Sequence, residues 1–402
     1  MNQEANRCLL CKNARCSAAC AVRTDVPAAM RAYREGRLED AARMLFENNP
    51  FSAITCQVCD WDRMCYGHCV LNAKKVPVRW YEIEKEISAP YLETVSITPG
   101  EPAGKTAAIL GGGPAGIAAA IFLRKAGWAV RLYDAHEKIG GVLRYGIPAF
   151  RLDKSYVDSY ERILKEAGVE ILTGKKVSLA EVRGTADAVL VTAGAEKAKK
   201  MRIPGEDDGR VVTALEYLEY PERFSINGKV MVVGGGNVAM DACRTANRAG
   251  CDTTVYYRKT FADMPANTRE VEEARQEGVA FQILQVPVAV EVREDGKRVA
   301  IVRNCENYFD DKGKLTTRIL DGTDHEVPFD WMITAVSESV DYGLLESMVP
   351  EKDEWGWLKA DEFGRTSYPD VFLAGDFLLG PKTVVQAVAS AKKAVEGILG
   401  DR

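Results

Sequence analysis

A glycine-rich loop occurs twice in this chain, each time after a short apolar run and before a helical pattern. The first copy lies at 107–116 and the second at 230–241. Both fit the pattern G-x-G-x-x-G or its variant with alanine in the last position. Because the pattern stands between a strand and a helix in both places, it predicts two dinucleotide-binding units with parallel, doubly wound sheets.

The first loop has Gly111, Gly113 and Gly116 at the required spacing. The first glycine permits a tight turn, the second lets the backbone approach a pyrophosphate, and the third lets the helix pack close to the strand. The helix N-terminus then directs its free N–H groups at the phosphates. A second strand is predicted at 129–133, and Asp134 directly after it offers a carboxylate to ribose hydroxyls.

The second loop has Gly234 and Gly236, with Ala239 in place of the last glycine. Its second strand ends in Arg258 and Lys259 instead of an acidic residue. Two cations at this position suit the 2′-phosphate of NADPH, whereas an acidic side chain would repel it. We therefore expect NADPH rather than NADH, and a solvated pair of surface cations is the alternative explanation.

Most of the cysteines are concentrated near the start of the chain. Eight of the eleven fall in two arrays, C-x2-C-x4-C-x3-C and C-x2-C-x5-C-x3-C. A reducing cytoplasm argues against so many disulfides, so the clustering predicts metal. Eight thiolates suffice for two [4Fe–4S] clusters, and structural zinc is the alternative. The arrays are Cys8, Cys11, Cys16 and Cys20, and Cys56, Cys59, Cys65 and Cys69.

Composition excludes several other classes of protein. The net charge of −5 over 402 residues gives no indication of a nucleic-acid-binding surface. The longest apolar stretch, 107–123, is interrupted by the glycine loop and does not read as a membrane helix. The polar N-terminus lacks the apolar core of a secretory signal. We expect a cytoplasmic protein that binds neither membranes nor nucleic acids.

Together, the loops and arrays resemble a known family over nearly the whole chain. The sequence is similar to the small subunit of NADPH-dependent glutamate synthase and to the N-terminal, electron-input part of dihydropyrimidine dehydrogenase. A further relative is the larger flavin subunit of the electron-bifurcating NADH-dependent ferredoxin:NADP oxidoreductase. The motifs that carry the resemblance are Cys8-Leu-Leu-Cys11, Gly140-Gly-Val-Leu-Arg-Tyr-Gly-Ile-Pro-Ala-Phe-Arg-Leu152, Gly234-Gly-Gly-Asn-Val-Ala-Met-Asp241, Leu373-Ala-Gly-Asp376 and Lys382-Thr-Val-Val385.

The resemblance implies an α/β protein with three parts. A helical domain with two iron–sulfur clusters occupies 1–100, with short helices expected from Asp25, through 38–45 and at 81–87. A Rossmann-like FAD-binding domain follows at 101–205 and ends with 339–402. A Rossmann-like NAD(P)H-binding domain at 206–338 is inserted into it.

The same resemblance implies an interleaved set of cluster ligands. Cys8, Cys11, Cys16 and Cys69 would hold one cluster. Cys20, Cys59 and Cys65 would hold the other, together with a Gln or Glu whose position here is Glu84. From the chain alone, Cys56 is the natural eighth ligand, so it stays as the alternative to Glu84.

The nucleotide sites are implied in the same way. Candidate FAD contacts are Gly111, Gly113, Ala115, Gly116, Asp134, Gly141, Leu143, Arg151, Gly375, Asp376 and Thr383. Candidate NAD(P)H contacts are Gly234, Gly236, Asn237, Val238, Arg258 and Lys259. The sequence departs from the family in three respects. Ala21 and Asp60 stand where relatives have proline after the cysteines that match Cys20 and Cys59, Ala335-Val336-Ser337 stands where they have Ala-Ile-Gly, and Ser390-Ala391 where they have Asp-Gly.

These features predict an electron-input subunit that oxidises NAD(P)H via FAD and passes electrons through its clusters. No side chain is predicted to be catalytic, because the cofactors themselves transfer the hydride. The chain leaves no room for a further substrate domain. The acceptor is therefore expected on a partner: the glutamate synthase large subunit, or an FMN-dependent dihydropyrimidine dehydrogenase or other reductase. The alternative is an NAD(P)H:ferredoxin oxidoreductase of the electron-bifurcating type.

Overall fold

The computed structural model describes residues 3–400, which form two compact units. The first unit comprises the residues up to Arg144, residues 149–195, and the residues from Val340 on. The second comprises residues 145–148 and 196–339. The chain therefore leaves the first unit, builds the second and returns, so the predicted insertion of one nucleotide-binding unit in the other is confirmed.

The cysteine-bearing part of the first unit is helical. Its helices are α1 (Gln3–Asn6), α2 (Arg15–Ala19), α3 (Val26–Arg34), α4 (Leu38–Asn48), α5 (Ser52–Val58) and α6 (Trp80–Thr94), with a 3-10 helix at Val70–Lys74. Asp25 caps α3 by accepting a hydrogen bond of 3.1 Å from the backbone N–H of Ala28. The helices predicted from Asp25 and at 38–45 are confirmed. The one predicted at 81–87 extends to Thr94, because buried Leu92 continues its apolar face beyond Pro90.

The rest of the first unit is built on a parallel sheet. Its strands are β1 (Thr106–Leu110), β2 (Ala129–Tyr133), β3 (Glu170–Leu172), β4 (Ala188–Val191) and β16 (Val371–Leu373), in the order β16-β4-β1-β2-β3. Its helices are α7 (Pro114–Lys125), α8 (Val142–Tyr145), α9 (Lys154–Glu166), α10 (Leu179–Val182), α14 (Asp376–Leu379) and α15 (Val384–Leu399), with a 3-10 helix at Tyr342–Leu345. Helix α7 is buried along most of its length because it lies against the sheet and against α15.

The second unit repeats this architecture. Its parallel sheet has the order β6-β14-β7-β8-β9, from strands β6 (Val211–Thr213), β7 (Lys229–Val233), β8 (Asp252–Tyr257), β9 (Ala280–Ile283) and β14 (Trp331–Thr334). Strands β5 (Lys197–Ala198) and β15 (Glu338–Ser339) pair with each other. The helices are α11 (Ala214–Glu219), α12 (Asn237–Arg248) and α13 (Thr268–Gln276), with 3-10 helices at Pro221–Arg223 and Phe261–Asp263. The predicted fold class is confirmed.

An antiparallel sheet completes the second unit. It consists of β10 (Gln285–Val292), β11 (Arg298–Phe309), β12 (Leu315–Ile319) and β13 (His325–Phe329), with β11 pairing to the other three. The valine-rich runs and turn residues of 291–329 predict antiparallel hairpins in this unit, and the observed sheet begins six residues earlier, at Gln285. Within residues 3–400, no helix is long and apolar enough to span a bilayer. The finer domain boundaries at 100, 205 and 338 stay a prediction.

Ser337 adopts a backbone conformation that favours glycine. Its φ is +131°, at the position where the family has glycine. The backbone N–H of Lys199 donates a hydrogen bond of 2.9 Å to its carbonyl, so β-sheet pairing on this segment holds the residue in place. A non-glycine residue in such a region stores roughly 1–3 kcal/mol of strain.

Replacing this residue tests the strain directly. Ser337→Gly should raise the free energy of unfolding by about 1 kcal/mol, because relief of strain exceeds the added freedom of the unfolded chain. Urea unfolding of the second unit measures the change. Ser339→Gly is the matched control: it lies in β15 and donates a hydrogen bond of 3.2 Å to the carbonyl of Lys197, so it should destabilise. Equal destabilisation by both changes would show that Ser337 is unstrained.

Candidate cofactor-binding sites

The first glycine loop turns directly after β1 and leads into α7. Gly111 has a φ of +113°, which permits the turn. A Cβ atom on Gly116 would lie 1.9 Å from the carbonyl oxygen of Gly111, so the helix contacts the turn backbone to backbone. Gly113 caps the helix in an ordinary extended conformation, with φ of −77°. The turn at Gly111 and the close packing at Gly116 thus agree with the sequence prediction, and the pyrophosphate approach at Gly113 stays a prediction.

Four small residues meet at the N-terminus of α7. A Cβ on Gly141, whose φ is +50°, would lie 2.9 Å from the Cα of Gly113. A Cβ on Gly375, whose φ is +64°, would lie 2.8 Å from the Cβ of Ala115. Gly113 itself is different, because a Cβ there would find only the Cα of Gly141, at 3.9 Å. The chain therefore closes around this helix end but leaves room in front of Gly113, as a bound pyrophosphate requires.

Asp134 braces this loop. Its carboxylate is buried and accepts hydrogen bonds of 2.7 Å from the backbone N–H of Gly112 and 2.8 Å from that of His136. A carboxylate accepts several hydrogen bonds. The predicted contact of Asp134 with ribose hydroxyls therefore stays a prediction, beside a bracing role that the sequence did not predict.

The other candidate FAD residues lie in three places. Leu143 is fully buried in α8, so its side chain packs in the core. Arg151 is partly buried in the loop before α9. Asp376 begins α14 and accepts a hydrogen bond of 3.2 Å from the backbone N–H of Lys382. Thr383 caps α15, with its hydroxyl donating to the side-chain oxygen of Gln386 at 2.8 Å.

The second glycine loop has nearly the same geometry as the first. Gly234 has a φ of +147°, and a Cβ there would lie 2.3 Å from the carbonyl oxygen of Ala335. Gly236 caps α12 with φ of −91°, and a Cβ there would meet no atom within 4 Å. Asn237 is held by accepting a hydrogen bond of 2.8 Å from the backbone N–H of Asn267, and Val238 is partly buried. Both nucleotide-binding units thus leave the approach to one helix N-terminus open.

Arg258 and Lys259 follow β8 in the second unit. Arg258 is exposed and Lys259 partly buried. Within residues 3–400 neither side chain forms an ion pair, although the pKa of Asp263, in the 3-10 helix that follows, is lowered by hydrogen bonds from Thr260 and also by the charge of Lys259. Two cations directly after the second strand fit a phosphate on the ribose.

The first predicted cysteine set comes together around one small cavity. Burial raises the pKa of Cys8, and it raises the pKa of Cys16 to about 11. Thiolate is the form that binds iron, so a bound cluster would reverse these shifts. The cavity is lined by Cys8, Cys11, Cys16 and Cys69, together with Cys65, Leu9, Ala14, Arg15, Val26, Pro27, Met30, Val70, Leu71, Val78 and Trp80.

The second set lies around a buried acid. Burial raises the pKa of Cys59 well above its usual value, and the neighbouring Cys65, Glu84 and Cys20 raise it further. Burial also raises the pKa of Glu84 to about 8, opposed by a hydrogen bond with the Trp80 side chain. Within residues 3–400 Glu84 forms no ion pair. A buried acid among thiols and without a cation is unfavourable unless it is protonated or binds metal, so these residues fit an iron–sulfur cluster.

Cys56 lies close to the same acid. Its Sγ donates a hydrogen bond of 3.3 Å to the carbonyl of Ala53 within α5. Burial raises its pKa strongly, and Glu84 is the next contributor. Both candidates for the eighth ligand are therefore in one place.

Within residues 3–400, no three His, Cys, Asp or Glu side chains are grouped to hold a single metal ion, whereas each cysteine of a cubane binds a different iron atom.

A cleft in the first unit lies between the cysteine-bearing part and the start of α15. Its volume is about 490 Å³, and Cys20 and Asp60 border it from one side while Thr383 and Gln386 border it from the other. The start of α15 therefore shares a cleft with a predicted cluster ligand.

Comparison with known proteins identifies the family of the chain. Residues 105–391 match the model of the pyridine nucleotide-disulphide oxidoreductase family, and residues 1–94 match that of dihydropyrimidine dehydrogenase domain II, 4Fe-4S cluster. The chain is 34% identical to the glutamate synthase [NADPH] small chain of Azospirillum brasilense, over 99% of this chain and 88% of that one. The chain belongs to the glutamate synthase small-chain family. The Escherichia coli small chain is also 34% identical, over 98% and 90% of the two chains.

The family assignment confirms the predicted resemblance and cofactor classes. The chain is an oxidoreductase that binds FAD and a pyridine nucleotide and carries an N-terminal 4Fe-4S cluster domain. Among solved structures, Mycobacterium tuberculosis FprA in complex with NADPH has a similar fold, with a TM-score of 0.65, 18% identity, and coverage of 75% of this chain and 84% of that one. The residue-level assignments of ligands and nucleotide contacts stay predictions.

Sequence reasoning missed several residues that shape these sites. A Cβ on Gly112 would lie 2.9 Å from the Asp134 carboxylate, so the close packing of the loop requires glycine at this position as well as at Gly111. Gly140 has a φ of +133° beside Gly141. Ser390, which departs from the family, accepts a hydrogen bond of 2.7 Å from the backbone N–H of Gly375. The three consecutive glycines in the sequence could have indicated the role of Gly112. The position of Ser390 beside Gly375 could not have been predicted, because only folding brings the two residues together.

The open space at Gly113 gives a clean test of the FAD site. Gly113→Val should fold normally, because the added Cβ meets only one atom at 3.9 Å, yet it should lose FAD by blocking the pyrophosphate. The flavin-to-protein ratio of the purified variant measures this.

Gly236→Val is the matched control, because it makes the same change at the equivalent turn of the second unit. It should retain FAD and lose affinity for NAD(P)H. Normal flavin content in Gly113→Val would refute the predicted site, and flavin loss in both variants would mean that they act by unfolding.

The eighth cluster ligand is tested by a pair of variants. Glu84→Ala should perturb the cluster of the second set, of which Glu84 is a predicted ligand. The other cluster should stay intact, because all four of its predicted ligands are unchanged. Cys56→Ala should leave both clusters intact, and Glu82→Ala on the same helix controls for loss of a carboxylate. Iron content and electron paramagnetic resonance spectra are the measurements. Loss of a cluster in Cys56→Ala alone would move the ligand to Cys56.

Proposed function

We propose that this chain is the electron-input subunit of a flavoenzyme complex, oxidising NADPH and delivering electrons to a partner protein. When bound, FAD accepts a hydride from the nicotinamide and the [4Fe–4S] clusters carry single electrons onwards. The role of the chain's own residues is to bind and orient these groups. Its thiol-rich N-terminal part suits a reducing compartment, so a cytoplasmic location belongs to the proposal.

The observation that carries this proposal is the shared cleft in the first unit. The helix α15 begins at Thr383, a candidate FAD contact within the residues that match the pyridine nucleotide-disulphide oxidoreductase family. The same cleft is bordered by Cys20, a candidate ligand of the second cluster. A flavin-binding part and a cysteine set that border one cleft favour electron exchange between them, and a regulatory or structural role would not need that proximity.

The cofactor preference rests on Arg258 and Lys259. Both are cations without an ion-pair partner within residues 3–400, and they end the strand where an NADH-specific site has an acid. Arginine binds phosphate through two parallel hydrogen bonds, which lysine cannot do. NADPH is therefore the proposed donor, in agreement with the names of the two similar small chains.

The proposed partner is a subunit that carries the site of the final reduction. Both similar proteins are named as small chains, which implies a larger companion in their complexes. A glutamate synthase large subunit or an FMN-dependent reductase fits this role. An NAD(P)H:ferredoxin oxidoreductase is the second candidate, and it is distinguished by whether the chain co-purifies with a large flavoprotein.

One experiment tests the order of electron flow. NADPH added anaerobically to the purified protein should reduce both flavin and clusters, seen by visible absorption and electron paramagnetic resonance. In the flavin-free variant Gly113→Val, NADPH should leave the clusters oxidised while dithionite reduces them. Cluster reduction by NADPH without flavin would contradict the proposal.

The donor preference is tested separately. Arg258→Ala should weaken the binding of NADPH roughly 10- to 100-fold, because a hydrogen bond to a charged group contributes about 1.5–3 kcal/mol. The binding of NADH should stay nearly unchanged. The KM values of the two nucleotides with a dye acceptor measure this. An equal loss for both nucleotides would mean that Arg258 does not contact the 2′-phosphate.

A further inference from the structure

The surface around the first cysteine set carries a strong local charge. We call residues 3–16 and 69–79, which meet at the cavity lined by Cys8, Cys11, Cys16 and Cys69, the Cys8 face. These segments contain six basic residues and one acidic residue, so their side-chain charge is +5 in a chain whose net charge is −5. Positive charge is thus concentrated on one small part of an acidic protein.

Most of this charge is not neutralised. The single acid, Glu4, is buried; its side chain accepts a hydrogen bond of 2.7 Å from Arg7 and one of 2.9 Å from the backbone N–H of Arg79. The remaining cations are exposed, and within residues 3–400 none of them forms an ion pair. They are Lys12, Arg15, Lys74 and Lys75.

An exposed apolar residue stands among these cations. Leu9 lies between Cys8 and Cys11, is 63% exposed, and also lines the cysteine cavity. Val76, which follows Lys75, is 48% exposed. Protein interfaces commonly combine an apolar centre with a charged rim. A leucine that touches both the cysteine cavity and the surface is where a partner would come closest to the cluster.

The Cys8 face is also held firmly in place. Arg7 donates to the carbonyl of Val76 at 2.5 Å, which ties the two segments together. Arg34 of α3 donates to the carbonyls of Ala5 and Cys8, the latter at 2.5 Å. A surface that is already ordered loses less conformational freedom on binding. Arg7 and Arg34 donate to groups within the chain, so the exposed cations Lys12, Arg15, Lys74 and Lys75 are the ones that can contact a partner.

We propose that the Cys8 face docks an electron-accepting protein whose redox centre is surrounded by acidic residues. This rests on the proposed electron-input function. The positive rim attracts the acidic partner and accelerates encounter, and Leu9 provides the dry contact. Two successive one-electron transfers to the partner balance the two electrons that each NADPH supplies, and no bond is made or broken at this surface.

The test uses an acidic bacterial ferredoxin as the acceptor and a neutral quinone as a small-molecule reference. The variant Lys74→Glu/Lys75→Glu should raise the KM for ferredoxin about tenfold and flatten its dependence on salt, because steering is lost. NADPH:quinone reduction should stay unchanged. The matched control Lys175→Glu/Lys176→Glu alters another exposed lysine pair by the same charge, in the loop after β3, and should behave as wild type.

A second variant addresses the apolar contact. Val76→Ser should weaken ferredoxin reduction without changing its dependence on salt, because Val76 is exposed beside the lysines and does not line the cysteine cavity, and quinone reduction again reports intact cofactors. Basic cytochrome c should be a poorer acceptor than ferredoxin for wild type and should improve with the lysine variant.

The outcomes separate two failures. If wild type does not reduce the quinone with NADPH, the proposed function itself fails. If it reduces the quinone but not ferredoxin, or if both lysine pairs behave alike, the docking surface is refuted. Salt-sensitive binding of duplex DNA that only Lys74→Glu/Lys75→Glu abolishes, with unchanged ferredoxin kinetics, would assign the face to nucleic acid instead.

Discussion

The nucleotide sites depend on backbone-to-backbone contact at the glycine turns. Gly116 packs so closely against the carbonyl of Gly111 that a single added carbon would lie 1.9 Å from it. This contact sets the distance between β1 and α7, and hence the place to which the helix N-terminus directs its N–H groups. Gly234 makes an equivalent approach to Ala335 in the second unit. The pyrophosphate sites are therefore consequences of how strands and helices pack, and no charged side chain is needed to form them.

The cysteine-bearing part depends on a different constraint, the burial of ionisable groups. Desolvation raises the pKa values of buried Cys59 and Glu84 and of half-buried Cys65, which opposes their charged forms. A protein core without metal would be more stable with apolar residues at these positions. Iron bound at the predicted ligands would stabilise thiolate and carboxylate and so explain why these residues are present. Trp61 stacks on Tyr81 of the same helix as Glu84, with ring centroids 4.0 Å apart.

Local sequence predicts what depends on local geometry. The glycine spacing predicts both turns and their helices, because each glycine is required by steric contacts with residues only a few positions away. Asp25 and Pro27 predict α3 for the same reason. The sequence does not reveal the hydrogen bond from Gly112 to the Asp134 carboxylate or the one from Gly375 to the Ser390 hydroxyl. Each joins residues that only the tertiary fold brings together. The choice between Glu84 and Cys56 as the eighth ligand stays open, because α6 carries Glu84 and α5 carries Cys56 to the same group of cysteines.

The central claim is that one chain carries a flavin and two four-iron clusters and also binds a pyridine nucleotide. Cofactor analysis of the anaerobically purified chain tests it most directly. The account predicts about one FAD and about eight iron and eight acid-labile sulfide atoms per chain, the content of two four-iron clusters. A colourless protein without flavin, with zinc in place of iron and no labile sulfide, would contradict it.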